Sequence, residues 1–262
     1  MLTHQEIKRY SRQLLLDDID EEGQRNIANA HVVIIGLGGL GSVAARYLIG
    51  AGVAAQCKAC ATALSCEGKL TLVDGDTVDV SNLQRQTSYN EMHLGELKTN
   101  ALKSELQKVN PYASIELKSR FADSKNLHTI IQNATCVLDC TDNVTVRKAI
   151  NKVCVSAKVP LFIASASGLT WQAININSAL NESGCYHCLV SHIKVNENCI
   201  SQGILGPVVG MAACHQATQV LLYLAKKAHA NIKWGHYIHA DAAKGKMQSF
   251  FLPPSENCEV CQ

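Results

Sequence analysis

A strand that runs straight into a glycine-rich turn and then a helix leaves a chain few folds to adopt. This chain carries one at His31-Val-Val-Ile-Ile-Gly36-Leu-Gly38-Gly39-Leu-Gly41. Five residues suited to a buried strand precede the glycines, and residues 42–49 read as the helix. Glycines let backbone approach a ligand closely. The first turn of the helix then offers unpaired N–H groups and a positive dipole end to phosphate or ribose oxygens. The unit reads as a nucleotide-binding entrance, with a purely structural tight turn as the plainer alternative. The glycines do not say which nucleotide, since dehydrogenases and flavoproteins share them.

Strands and helices alternate along the rest of the first half. Residues 69–74 read as a strand ending in Asp74, and the helix containing Lys98 is stopped by Asn110-Pro111. Residues 114–117 are a short strand and 126–133 a helix. Residues 136–143 form a buried strand whose end carries Asp142 and Asn143, then come a helix at 144–157 and strands at 160–166 and 171–176. That alternation predicts an α/β fold, a doubly wound Rossmann-like sheet that is mostly parallel, with ligands at the strand ends. The chain has 262 residues and is 47% hydrophobic, enough for one large domain with a substantial core. We read residues 1–262 as one domain, with a nucleotide-binding half at 1–168 and a second half at 169–262. The second half is expected to add an antiparallel portion to the sheet. At the start, Thr3 with Glu6 three residues on reads as a capping box for a first helix that also holds Arg9-Tyr-Ser-Arg12-Gln.

The bulk properties exclude several classes. A net charge of +2 gives no reason for a nucleic-acid or membrane surface. The longest apolar stretch, 207–225, is interrupted by His215, Gln216, Thr218 and Gln219, so it reads as a buried amphipathic helix rather than a membrane span. The first ten residues are polar and charged and do not read as a secretion signal. Twelve cysteines without such a signal point to a reducing, cytoplasmic setting, where thiols serve metals or chemistry.

An acid closing the second strand of a dinucleotide fold binds ribose hydroxyls, ordinarily about 20 residues past the glycines. Asp74 stands further on. Removing residues 54–67 nearly restores the spacing, so that segment reads as an insertion. Its Cys57-x-x-Cys60 has no second pair nearby and reads as a surface loop, as does Cys66. Downstream of Asp74 come Asp76, Asn82, Gln84, Arg85 and Lys98, an inventory that suits the ribose and phosphates of a nucleoside triphosphate. An ordinary hydrophilic loop would carry the same residues. Cys185-x-x-Cys188 and Cys258-x-x-Cys261 are two matched pairs that can supply four thiolates to a tetrahedral zinc. Four sulfur ligands leave no open position, so this zinc would be structural, and neither His187 nor His192 is expected to be a ligand. A redox dithiol would not explain two matched pairs. Cys199 lies in a polar stretch and is a candidate nucleophile, although a lone cysteine is more often inert.

Taken together these motifs resemble the ubiquitin-activating-type adenylyltransferases (the ThiF/MoeB/HesA group). Their bacterial members activate sulfur-carrier proteins of thiamine and molybdenum-cofactor synthesis. The resemblance spans nearly the whole chain. It rests on Arg9-Tyr-Ser-Arg12-Gln, Gly36-Leu-Gly-Gly-Leu-Gly41, Ser81-Asn-Leu-Gln-Arg-Gln86, Asp139-Cys-Thr-Asp-Asn143 and both cysteine pairs. Within the group the chain is most similar to the ThiF type, in its length, its Gly206-Pro207-Val-Val-Gly210 and Glu197-Asn-Cys199, and the absence of a rhodanese-like extension. The insertion and Trp171, where the family usually has a small residue, are departures.

The resemblance implies that ATP activates the C-terminal carboxylate of a small ubiquitin-like protein ending in Gly-Gly. The products are a carrier acyl-adenylate and pyrophosphate. Gly38, Gly39 and Gly41 would border the nucleotide, and Asp74 would bind the ribose hydroxyls with Asp76 beside it. Asn82, Gln84, Arg85 and Lys98 would face the phosphates. Asp142, next to Asn143, would hold Mg2+, a hard cation suited to oxygen ligands. Arg12 would reach the triphosphate of the neighbouring subunit in a homodimer. Cys199 would form a covalent link to the carrier during sulfur transfer, with a cysteine desulfurase or rhodanese-type protein as sulfur donor. Residues 169–262 would bind the carrier and hold the zinc.

Overall fold

The computed structural model describes residues 2–55, 68–180, 183–192, 203–226 and 232–262. Its helices are α1 (His4–Tyr10), α2 (Asp20–Ala28), α3 (Gly39–Gly50), α4 (Lys98–Val109), α5 (Leu127–Ile130), α6 (Val144–Ala157), α7 (Tyr186–His192) and α8 (Gly206–Ala225). Its strands are β1 (His31–Ile35), β2 (Lys69–Val73), β3 (Ile115–Lys118), β4 (Cys136–Asp139), β5 (Leu161–Ser167), β6 (Thr170–Ile176), β7 (His236–Asp241) and β8 (Lys246–Phe251).

All eight strands form one sheet in the order β3-β2-β1-β4-β5-β6-β7-β8. The first five are parallel, and β6, β7 and β8 extend them antiparallel. The expected Rossmann-like sheet and its antiparallel extension are both present. The centre of the sheet is covered on both faces, and period-two alternation sends the side chains of its strands to separate cores. Val32 and Ile34 of β1, Leu70 and Leu72 of β2, and Leu138 of β4 enter the layer under α2, α3, α4 and α8. Val33, Ile35, Val73 and Val137 enter the layer under α5, α6 and α7.

Helix α8 packs against α3, α2, β5 and β6. It is long and apolar enough to cross a membrane by length and composition, but half of that stretch is buried inside the fold. Its alanines, Ala212, Ala213 and Ala217, bring the helix close to the sheet. Gln216, the polar break noted in the sequence, is buried and satisfied. Its amide donates to the carbonyls of Asp139 (3.2 Å) and Phe162 (2.8 Å), and its carbonyl accepts from the Cys140 thiol (3.2 Å).

Several expectations need adjusting. The helix expected at 126–133 is only α5, and α3 starts at Gly39, three residues before the expected start. The N-terminal segment holds two helices, with α2 unforeseen. The capping box is formed: Thr3 Oγ1 accepts from Glu6 N–H (3.3 Å), and Thr3 N–H donates to the Glu6 carboxylate (2.7 Å). The first two residues of the expected insertion, Ala54 and Ala55, are tied into the fold. Ala54 is fully buried, its carbonyl accepts from Ser114 N–H (2.9 Å), and Ala55 bridges Ala113. Cys57, Cys60 and Cys66 lie outside the described residues.

Candidate nucleotide site and four-cysteine centre

The site is built where β1 ends between β2 and β4. In register, Ile35 stands opposite Val73 on one side and Asp139 on the other, so the carboxyl ends of three strands are level. The strand order reverses direction between β1 and β4, which opens a crevice at this switch point. Gly36, Asp74 and the Cys140-Thr-Asp142 turn therefore lie side by side.

The glycines divide by what surrounds them. Gly36 has φ +88°, and a Cβ there would approach the Cys140 carbonyl to 2.9 Å. A Cβ on Gly41 would overlap the Gly36 carbonyl oxygen, and one on Gly39 would meet Val209 at 2.8 Å and the Arg85 carbonyl at 2.9 Å. These three are required by packing. Gly38 is the N-cap of α3, has no side-chain cap, and is hemmed by no backbone.

Asp74 is buried beneath the turn. Its carboxylate accepts from the N–H groups of Leu37 (2.7 Å) and Asp76 (2.8 Å). Tyr89, which no motif singles out, donates its hydroxyl to the Leu37 carbonyl (2.7 Å). Burial, reinforced by the nearby Asp74 charge, pushes its phenol up, so it stays a donor. Lys98 opens α4 with its side chain largely buried, and its ammonium pairs with Asp76 at 3.0 Å.

The loop 79–86 is wound into a short 3-10 turn over Val80–Asn82, capped by Asp79. Arg85 donates to the Ser81 carbonyl (3.1 Å), and Asn82 to Ser81 Oγ (3.4 Å). Gln84 is exposed, while Gln86 is buried against the glycine turn. Beyond β4, Asp142 is exposed, and Asn143 caps α6 by accepting from Val146 N–H (3.0 Å). Asp139 lies wholly inside. Burial pushes its carboxyl up, although Arg147 faces it at 4.0 Å and Thr141 donates to it through N–H and hydroxyl.

Arg12 is exposed and makes no hydrogen bond or ion pair among the described residues. Its neighbours are anchored. Arg9 donates to the Val109 carbonyl (3.0 Å), Tyr10 receives a hydrogen bond from Asn110 (3.1 Å), and Gln13 donates to the Ala51 carbonyl (2.8 Å). Cys199 lies outside the described residues.

The two cysteine pairs do meet. Cys185 and Cys258 sulfurs are 3.7 Å apart, Cys188 and Cys261 3.6 Å, and all four lie within 4.8 Å of one another. Four thiolates about 2.3 Å from one ion at tetrahedral corners stand about 3.8 Å apart, so the cluster fits zinc. Desolvation opposes ionisation of Cys188, but N–H donors from Ser255 and Cys185 outweigh it and hold its thiol down at about 7. Burial pushes Cys185 and Cys261 up.

A doubly wound sheet with an open glycine turn at its switch point defines a nucleotide-binding α/β protein. Residues 10–260 match the model of the ThiF family, and the chain belongs to that family. It is an adenylyltransferase. The molybdopterin-synthase adenylyltransferase of Salmonella typhimurium is 36% identical over 261 residues, spanning 99% of this chain and 98% of its own. The sulfur carrier protein ThiS adenylyltransferase of Escherichia coli is 34% identical over 261 residues, spanning 99% and 97%. In fold, the crystal structure of E. coli MccB with ATP is similar at a TM-score of 0.79 and 24% identity, over 97% of this chain and 74% of that one.

Proposed function

We propose that the chain uses ATP to adenylate the C-terminal glycine carboxylate of a small ubiquitin-like sulfur-carrier protein, releasing pyrophosphate. The observation that supports this reading is that β1, β2 and β4 end level at the switch point, and that Gly38, Asp74 and Asp142 follow those three ends within three residues. One relative matched over nearly its whole length is named an adenylyltransferase of a sulfur carrier protein, and another a molybdopterin-synthase adenylyltransferase.

The carrier's carboxylate oxygen attacks the α-phosphorus, the bond to the β-phosphate breaks, and the electron pair leaves with pyrophosphate. Little covalent work falls to the protein, which must align the reactants and meet the developing charge. Gly38, Gly39 and Gly41 form the cradle, and Asp74 with Asp76 is on the ribose side. Asn82, Gln84, Arg85 and Lys98 serve the phosphates, Lys98 exchanging Asp76 for the nucleotide. Asp142, an exposed carboxylate beside Asn143, fits Mg2+. An ion held there would supply positive charge to the phosphate oxygens. Arg12, exposed in the anchored turn after α1 and unpaired among the described residues, reaches the crevice of a second copy, making the working unit a homodimer. The four cysteines hold a structural zinc that ties the C-terminal segment to α7. Cys199 then takes part in sulfur transfer: its thiolate attacks the acyl carbon of the carrier adenylate, the bond to AMP breaks and AMP leaves with the electron pair, and the sulfur itself comes from a cysteine desulfurase or rhodanese-type donor.

The thiamine-type carrier (ThiS) is the first substrate, on the strength of Glu197-Asn-Cys199 and Gly206-Pro207-Val-Val-Gly210. A second reading, the molybdopterin-synthase carrier, is favoured by the 36% identity to the Salmonella enzyme. ATP–pyrophosphate exchange with each carrier tests both. Exchange with the thiamine carrier alone is expected. Exchange with the other alone moves the enzyme to molybdenum-cofactor synthesis, and exchange with neither overturns the function. Cys199→Ser should leave exchange intact while abolishing any covalent carrier adduct seen by mass spectrometry.

A further inference from the structure

We infer that Gln86, outside the residues assigned above, contacts the nucleotide directly: its side-chain amide donates to a phosphate oxygen seated over the glycine turn at the start of α3. This rests on the reading that ATP occupies that turn.

Protein packing accounts for Gly36, Gly39 and Gly41, whose Cβ positions are blocked by neighbouring atoms. It does not account for Gly38. A Cβ there would meet one atom within 4 Å, the Gln86 Nε2 at 3.6 Å. The open space over Gly38 thus has the Gln86 amide as its near wall. Gly38 is also where α3 begins, with no side chain capping the free N–H groups.

The amide itself lacks a partner. Gln86 is 4% exposed, its Oε1 is buried without a hydrogen bond, and its side chain makes none among the described residues. The atom that faces the cradle is Nε2, which makes no hydrogen bond among the described residues, so both its N–H groups are available to an acceptor seated there.

The backbone holds that amide in place. Gln86 N–H donates to the Asn82 carbonyl (3.0 Å), and its carbonyl accepts from Tyr89 N–H (3.0 Å). The preceding residues are clamped by glycines on two helices: the Arg85 carbonyl lies 2.9 Å from the Cβ position of Gly39, and the Gln84 carbonyl 2.8 Å from that of Gly206. A donor fixed before the ligand arrives loses little entropy on binding. The chemistry selects the ligand atom. The helix start favours an anion, and an amide N–H2 is a neutral donor that adds direction to it. A phosphate oxygen of a nucleoside triphosphate answers both.

The test compares the wild type with Gln86→Ala and Gln86→Glu by calorimetric titration with ATP, thermal unfolding without ATP, and pyrophosphate exchange. Gln86→Ala should weaken ATP binding about ten- to a hundredfold, as expected for a hydrogen bond to a charged group. The loss should appear in KM for ATP. Gln86→Glu, which sets a carboxylate against phosphate, should lose more. The ATP-free unfolding midpoint of Gln86→Ala should stay level or rise, because an unpaired buried amide is removed. Wild-type affinity in both variants overturns the inference. So does weaker binding that merely follows a lowered ATP-free midpoint. Failure of the wild type itself to bind ATP overturns the reading beneath it, and this inference with it.

Discussion

At the scale of single residues, Arg9-Tyr-Ser-Arg12-Gln shows how one motif divides between structure and chemistry. Arg9, Tyr10 and Gln13 spend their polar groups on Val109, Asn110 and Ala51, and so fix the end of α1. Arg12 spends its group on nothing among the described residues. Arg12→Ala should therefore leave the thermal midpoint unchanged. It should also slow adenylation by about a thousandfold, the low end of the effect of an arginine supplied in trans to a phosphoryl transition state. Mixing inactive Arg12→Ala with inactive Lys98→Ala should restore exchange, because a mixed dimer holds one complete site. Failure to complement would sink the shared site. The capping pair Thr3 and Glu6 was readable because both residues lie within one helical turn. Which of two arginines is free was not, since that depends on the carbonyl of Val109, far along the chain.

At the scale of elements, β1-turn-α3 is the segment with least tolerance. Three of its glycines touch backbone or a neighbouring helix, and backbone cannot rotate away as a side chain can. Gly41→Ala should cost at least the ~1–3 kcal/mol typical of overpacking, read as a lowered urea midpoint. Gly38→Ala, with space around it, should leave that midpoint nearly unchanged and weaken ATP binding instead. An equal loss of stability in both variants would contradict the division drawn here. The central parallel strands β1 and β4 were legible because they are buried throughout and read as nearly unbroken apolar runs. β8 was not: Lys246–Phe251 is exposed throughout, so its sequence carries no burial pattern. Its place comes from pairing with β7.

At the scale of the whole molecule, the four cysteines join pairs 73 residues apart and hold the C-terminal segment against α7 and the core layer under α5, α6 and α7. Elemental analysis should find one zinc per chain in the wild type and none in Cys258→Ser. The substitution should lower the unfolding midpoint by about 10 °C, given about 2–4 °C per kcal/mol in chains near this size, while ATP affinity persists. An unchanged midpoint would argue against a structural role. The sequence by itself determined the alternating α/β order, the glycine turn, the acid closing β2 and the matched cysteine pairs, because each is written in contiguous residues or fixed spacings. Only the tertiary structure decided that the sulfurs converge, that Asp76 holds Lys98, and that Gln86 rather than the exposed Gln84 walls the cradle. Those outcomes depend on strand register and on glycines of α3 and α8 clamping a distant loop, and no local pattern records where two remote segments touch.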